Sequence, residues 1–192
     1  MFLNPFRRSG DDPFALLVGM AGVKLGDRIV QIGCAHGGRL AAVAAKVGLS
    51  GRAVAIAPDE ASAARAEKGA RDAGVLVEIE TTPTTAIPSA ADAFDVALVD
   101  DTGGLLATMR AEDRVRTVRE ILRVLRPAGR VMVIGALPRG GLGALVTRAQ
   151  SGPPFDAVPS LTAEGFRAVR KLAEREGLVF VEGIKPRETG RG

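Results

Sequence analysis

Short apolar runs alternate with amphipathic stretches along most of the chain. The apolar runs have the length and composition of β-strands, and six strands are predicted, at 28–32, 52–57, 75–80, 94–99, 130–134 and 178–184. Apolar positions at helical spacing predict helices between them, at 12–22, from the loop after the first strand to Val47, and at 59–73, 111–126 and 163–176. This alternation predicts an α/β fold, a three-layer α/β/α sandwich around a mostly parallel sheet.

Residues that start or stop helices support several of these boundaries. Asp59 is suited to cap the helix that Gly74 ends, and Pro127 cannot continue the helix that begins at 111. Gly177 is predicted to close the last helix. Two stretches are predicted as loops: a Thr/Pro/Ala segment at 81–92, and a Gly/Pro-rich segment at 138–160 that is long enough to form a lid or a partly ordered excursion.

The length of 192 residues suits one domain with a sizeable core. We expect a single domain over 12–185, between a flexible leader at 1–11 and a flexible tail at 186–192. An apolar stretch of about 20 residues, which a membrane-spanning helix needs, does not occur in the sequence. The alternative interpretation of the leader is a weak contact with a membrane surface, made by Phe2, Leu3, Phe6 and the two arginines that follow.

Composition narrows the classes of site that the chain can build. One cysteine and one histidine exclude an internal disulfide and multi-cysteine or histidine-rich metal sites, and they fit a reducing cytoplasm. A net charge of +4 is too small to indicate nucleic acid, and the arginine run at 114–130 interleaves with apolar positions as on a solvated helix face. We expect no nucleic-acid partner, and the sequence leaves a homodimer open.

The stretch 28–38 combines a strand, a glycine loop and the start of an alanine-rich helix. In open parallel sheets ligands bind at the carboxyl ends of the strands, where the strand order reverses. Glycines in such a loop let backbone approach a ligand, and the helix that follows offers free N–H donors. The pattern predicts a cofactor site between this strand and this helix.

With its neighbours, this loop resembles the class I S-adenosylmethionine-dependent methyltransferases, and the small quinone and small-molecule methyltransferases in particular. The residues that carry the resemblance are the glycine loop 33–38, the strand 94–100, the helix–turn–strand 119–134, and 161–166, which looks like the start of the helix before the family's sixth strand. The resemblance spans about 13–184. It implies a Rossmann-like sheet, S-adenosyl-L-methionine as cofactor, and a small-molecule methyl acceptor.

Three acidic positions of the family pattern are occupied by other residues here. Gln31 stands where the first loop often carries a carboxylate, Ala57 where an acid grips the ribose hydroxyls, and Pro83 near the adenine position. Asp59 or Glu60 could replace the acid at Ala57. The resemblance assigns cofactor binding to one set of residues: Gln31, Gly33, Cys34, Ala35, Gly37, Ala57, Asp59 and Asp100.

Two residues are candidates for catalysis. Asp100 ends the fourth predicted strand and could act as a base beside the methyl donor, but with Asp101 it could equally form a turn and a helix cap. His36, the single histidine, could act as a base or serve the loop and the helix start. Cys34 is expected to be a small buried filler. No metal site is expected, because no Asp-Asn pair follows the fifth strand.

Two functions remain after other families are set aside. A short-chain dehydrogenase needs a tyrosine, and the chain has none; a base-modifying methyltransferase needs a proline-aromatic turn, which 100–103 lacks. The first hypothesis is a methyltransferase acting on a small hydrophobic or phenolic acceptor. The alternative is a catalytically silent, methyltransferase-like binding or partner module that has lost its cofactor anchors.

Overall fold

The computed structural model describes residues 13–137 and 155–187. The described helices are α1 Ala15–Ala21, α2 Gly37–Val47, α3 Glu60–Ala73, α4 Leu105–Thr108, α5 Ala111–Val124 and α6 Ala157–Ala163. The described strands are β1 Arg28–Ile32, β2 Arg52–Ala57, β3 Glu78–Thr81, β4 Phe94–Asp101, β5 Leu125–Ala136, β6 Arg167–Arg175 and β7 Leu178–Ile184. None of the described helices is long and apolar enough to cross a membrane.

All seven described strands join one sheet, in the order β3-β2-β1-β4-β5-β7-β6. The first five strands are parallel, and β7 runs antiparallel to both of its neighbours. β1 pairs with β2 on one side and with β4 on the other, so the strand order reverses between β1 and β4. The α/β class and the mostly parallel sheet are confirmed.

Helices cover both faces of the sheet, and β4 contributes to both cores. Ala97 and Val99 pack into the cluster that holds α5 and α6, whereas Val96 and Leu98 pack into the cluster that holds α1 and α2. All four side chains are buried, as the period of two along a strand requires when both faces are covered. This is the three-layer sandwich that the sequence predicts.

The predicted helix at 163–176 is wrong, because residues 167–175 form β6. The helix of this region is α6, which Asp156 caps by accepting a hydrogen bond from the Val158 N–H at 3.0 Å. Two register shifts interrupt the pairing of β6 with β7, and at the second one the consecutive residues Leu172 and Ala173 pack into the same core, which a regular strand does not allow. Val169 and Leu172 have the i, i+3 spacing of one helix face, but on this strand they pack into opposite cores.

The remaining differences are smaller, and the sheet has seven described strands instead of six. The stretch 161–166 ends a helix and does not begin one, and Gly177 lies in the two-residue β6–β7 turn, where it and Glu176 both have positive φ. β3 starts at Glu78, three residues later than predicted. The caps at Asp59 and Gly74 are confirmed, whereas the leader and residues 138–154 lie outside the described residues.

Candidate functional site

The candidate site lies where the carboxyl ends of β1 and β4 meet. The glycine loop, residues 33–38, leaves β1 and enters α2, and the turn at 101–104 leaves β4 and enters α4. From this point the chain leaves β1 toward β2 on one side and leaves β4 toward β5 on the other. Open α/β sheets bind ligands where two such connections diverge. This is the edge of the sheet at which the sequence predicts the cofactor site.

Asp100 joins the two loops through both oxygens of a buried carboxylate. Its Oδ2 accepts hydrogen bonds from the backbone N–H groups of Ala35 at 2.9 Å and His36 at 3.3 Å. Its Oδ1 accepts from the hydroxyl of Thr102 at 2.6 Å and from that residue's N–H at 3.3 Å. The Arg39 guanidinium, from the first turn of α2, lies 3.5 Å from the same Oδ1 and also donates to the Thr102 hydroxyl.

Asp101 is the cap that the alternative interpretation of the Asp100-Asp101 pair predicted. Its Oδ1 accepts a hydrogen bond from the Leu106 N–H, in the first turn of α4, at 2.6 Å. Only 6% of the residue is exposed, and burial, with the negative charge of Asp100 adding to it, raises its pKa from 3.8 to about 6. Both aspartates therefore organise the turn after β4, and a catalytic role for Asp100 stays a prediction.

The glycines of the loop make room for other parts of the protein. Gly33 has a φ of +75°, and a Cβ there would lie 2.7 Å from Cδ2 of Leu105. A Cβ on Gly37 would collide with the carbonyl oxygen of Arg65, because α2 and α3 touch backbone to backbone at Gly37 and Gly69. Packing against α3 and α4 thus accounts for these two glycines. The glycine pattern of the loop therefore does not by itself indicate that a ligand binds there.

Gln31, near the end of β1, and Cys34, in the glycine loop, are both buried. The Gln31 side-chain amide donates to the Gly33 carbonyl oxygen at 3.1 Å, so it holds the loop without adding charge. Burial, followed by the negative charge of Asp100, raises the pKa of the Cys34 thiol to about 11. The cysteine is therefore a neutral filler at pH 7, while its carbonyl accepts a hydrogen bond from Arg65 at 2.6 Å.

His36 occupies the N-cap position of α2 with an exposed side chain. The imidazole makes no capping hydrogen bond, and its ring centroid lies 5.6 Å from that of Phe14. Its backbone N–H, by contrast, is one of the donors to Asp100. The structure thus uses the backbone of His36 to hold the loop, and a base role for its imidazole stays a prediction.

After β2, Asp59 and Glu60 are the two carboxylates predicted to replace the acid at Ala57, and both are exposed. Ala57 is fully buried, and its carbonyl accepts from the Thr82 N–H at 3.0 Å. Asp59 is exposed and uses Oδ1 to cap α3 through the Ser62 N–H at 2.7 Å. Pro83 is exposed, and its carbonyl oxygen accepts a hydrogen bond from the Ala86 N–H at 3.0 Å. Binding of a cofactor by these residues stays a prediction.

Sequence reasoning missed the cations of this site. Arg39 reaches across to the β4 turn, and Arg65 reaches from α3 to the glycine loop. Of the two arginines, only Arg39 could have been found from the sequence, because its position in the first turn of the helix after the glycine loop places it beside the predicted site. Within the described residues no group of three histidine, cysteine or acidic side chains could hold a metal ion.

Comparison with known proteins connects this geometry to one group of enzymes. The family model described as "Methyltransferase domain" matches residues 29–129. The methyltransferase GfsG of Streptomyces halstedii is 24% identical over 150 residues, which cover 78% of this chain and 52% of GfsG, so the chain spans about half the length of that curated relative.

Solved structures share the fold at low sequence identity. An S-adenosylmethionine-dependent methyltransferase from Aquifex aeolicus superposes with a TM-score of 0.69 at 20% identity, covering 91% of this chain and 94% of its own. The [4+2]-cyclase SpnF superposes with a TM-score of 0.63 at 19% identity, covering 90% and 79%. Likeness at this level of identity shows the fold and leaves the reaction open.

Proposed function

The chain belongs to the methyltransferase-domain family, with the class I fold whose cofactor is S-adenosylmethionine, and we propose that it transfers a methyl group from this cofactor to a small acceptor. The observation that carries the proposal is the matched family segment, 29–129, which contains the β1–β4 reversal with a buried carboxylate at its centre. The cofactor when bound supplies an electrophilic methyl group on a positively charged sulfur.

The residues at the β1–β4 edge fit such a group by charge. Asp100 places a buried negative charge where the two loops meet, which suits a ligand that carries a sulfonium and an ammonium group. The Arg39 side chain, 21% exposed, is suited to a carboxylate such as that of the methionine moiety. Because Gln31 in β1 is neutral, the acidic residues where the two loops meet are Asp100 and Asp101 of β4.

Asp59 is the residue that we propose for the ribose hydroxyls. It lies two residues after the end of β2, its side chain is exposed, and Oδ1 alone is engaged in the N-cap. Carboxylates grip neighbouring hydroxyls through strong charge-assisted hydrogen bonds. We propose that Gln31, Gly33, Cys34, Ala35, Gly37 and Ala57 line the cofactor site through backbone and small side chains, beside Asp59 and Asp100.

For the acceptor we propose a small hydrophobic or phenolic molecule. Half-buried apolar side chains pack against the α5 face of the sheet, namely Leu105 and Met109 after β4 and Phe155 before α6. The chain has no tryptophan or tyrosine on which a nucleic-acid base could stack. Aligning such an acceptor with the methyl group would supply most of the rate, because positioning alone is worth several orders of magnitude.

Titration calorimetry with S-adenosylmethionine and S-adenosylhomocysteine tests cofactor binding. We expect binding by the wild type, and affinity reduced about tenfold in Asp59→Asn, since the amide keeps the helix cap but loses the charge. Asp72→Asn, an exposed change on α3, is the matched control and should bind like the wild type. No binding at millimolar cofactor would refute the proposal and favour the silent binding module.

Methyl transfer to an acceptor and the cellular location of the protein need separate measurements. Incubation with S-adenosylmethionine and a panel of phenolic and hydrophobic acceptors should yield S-adenosylhomocysteine, and a panel without turnover would count against the acceptor class. We also propose a cytoplasmic location, which the single cysteine favours, and cell fractionation checks it.

A further inference from the structure

Three leucine side chains are exposed at the edge of the sheet opposite the candidate site. Among the described residues they are the large apolar side chains that stand in water: Leu25, Leu49 and Leu76, with 74%, 89% and 79% of each residue exposed. Each lies in the loop that leads into one of three adjacent parallel strands, β1, β2 and β3. We call these three residues the leucine edge. A single exposed leucine is ordinary, whereas three at one edge form an apolar patch.

The loops that carry the leucine edge are held side by side. A Cβ on Gly48 would lie 2.6 Å from Cδ1 of Leu25, so Leu25 packs against the turn that carries Leu49. The first residues of β2 and β3, Arg52 and Glu78, form an ion pair in which Nη2 lies 2.6 Å from Oε2. The three leucines therefore project together from the starts of neighbouring strands.

The charge around the leucine edge is positive. The loops and strand starts at 24–28, 46–52 and 71–78 carry five basic and three acidic side chains. Lys24 and Lys46 are exposed and form no ion pair with any described residue. The acids at this edge of the sheet are engaged: Asp72, Glu78 and Asp95 in ion pairs with lysine or arginine, and Asp27 by the Lys24 N–H at 2.8 Å. Two lysines beside the leucines are thus available to a negatively charged surface.

The shape and size of the leucine edge fit a lipid surface better than a folded partner. Side chains as exposed as these are protrusions, and a rigid protein surface would need a cavity for each, whereas lipids move apart around them. Burying one leucine removes roughly 60–120 Å² of apolar surface from water. Three leucines therefore fall far short of the about 800 Å² per partner that a stable protein interface buries. Lysines near a bilayer are attracted to anionic headgroups.

We propose that the leucine edge docks this protein on an anionic membrane surface, with the three leucines among the headgroups and Lys24 and Lys46 beside the lipid phosphates. The proposal goes beyond methyl transfer and does not depend on it. The candidate site lies at the carboxyl ends of the same strands, so it faces away from the bilayer in the docked protein. Its cleft then stays open to the aqueous phase.

Co-sedimentation of the full chain with lipid vesicles tests the proposal. Vesicles of phosphatidylcholine and phosphatidylserine in equal parts should bind the wild type, and binding should weaken as the salt concentration rises. The double variant Leu49→Ser/Leu76→Ser should lower the partition coefficient by about tenfold or more, because both side chains lose their contact with lipid. Lys24→Gln/Lys46→Gln should lower it by about tenfold on these vesicles and leave binding to phosphatidylcholine alone unchanged.

Arg110→Gln/Arg116→Gln is the matched control for net charge. It removes two exposed cations at the start of α5, which begins at the opposite edge of the sheet, so it should bind vesicles like the wild type. Because Leu49 and Leu76 are largely exposed, their variant should unfold at the same denaturant concentration as the wild type.

Two results with vesicles would overturn the proposal: a wild type that does not bind, or a leucine variant that binds undiminished. The second would place the membrane contact elsewhere in the chain, since the leader at 1–11 is unchanged in every variant. Ultracentrifugation tests a second copy of the chain as the occupant. A wild-type dimer that the leucine variant dissociates, without vesicle binding, would make this edge a contact between copies and refute the membrane.

Discussion

Asp101 makes the stability of this protein depend on pH in an unusual direction. The carboxyl group is buried at the end of β4, and its pKa is raised from 3.8 to about 6. The native state therefore holds the proton more tightly than the unfolded chain does. The contribution of Asp101 to stability is greatest below pH 3.8 and decreases as the pH rises through 6.

The size of this effect follows from the shift in pKa. A difference of about 2 pKa units, at 1.36 kcal/mol per unit, corresponds to about 3 kcal/mol between the acidic and the alkaline limits. Between pH 4.5 and pH 7.5, where part of the transition lies, about 2 kcal/mol of it is expressed. Carboxylates with lowered pKa, such as Glu120 beside Arg123, act in the opposite direction, so only a comparison with a variant isolates Asp101.

Chemical denaturation of the wild type and Asp101→Asn at both pH values measures this difference. Asparagine keeps an oxygen that can accept the Leu106 N–H but does not titrate. On going from pH 4.5 to pH 7.5 the free energy of unfolding of the wild type should fall by about 2 kcal/mol relative to the variant. Asp72→Asn on α3 serves as the control. Parallel pH profiles for the wild type and Asp101→Asn would refute the reasoning.

Two further predictions concern packing and buried hydroxyls. Gly37→Ala should lower the free energy of unfolding by about 2 kcal/mol or more, since its Cβ meets the Arg65 carbonyl. Gly74→Ala, where φ is positive but the space is open, should lower it by about 1 kcal/mol. Equal losses in chemical denaturation would contradict the close contact of α2 with α3 at Gly37 and Gly69. Thr117→Val should cost about 1–3 kcal/mol, because it removes the 2.8 Å hydrogen bond to the buried Thr84. Adding Thr84→Val should recover part of that loss, and additive losses would show that the hydroxyls do not interact.

Most of the sheet could be predicted because its central strands follow one rule. β4 is apolar on both faces, and the structure buries it between two helical layers. The cap at Asp59 and the helix end at Gly74 were likewise visible, because both depend on residues within a few positions along the chain. β6 could not be predicted, since its bulges form against β7 and change which side chains face the core.

The candidate site was predictable in position but not in construction. Asp100 could be found because it ends a buried strand at the reversal of strand order. Its bonds to Ala35 and His36 join residues more than sixty positions apart, and no local pattern encodes them. Gly37 suggested a close approach by a ligand, whereas the approaching group is α3, which only tertiary packing reveals.

The bulges of β6 bear on how copies of this protein meet. β6 forms one border of the sheet, and such borders invite further strands to join unless they are interrupted or charged. Here the pairing register breaks twice, and Arg167, Arg170 and Lys171 are exposed along the strand. We therefore expect this border to resist edge-to-edge aggregation. A homodimer of this chain would have to be built on another surface.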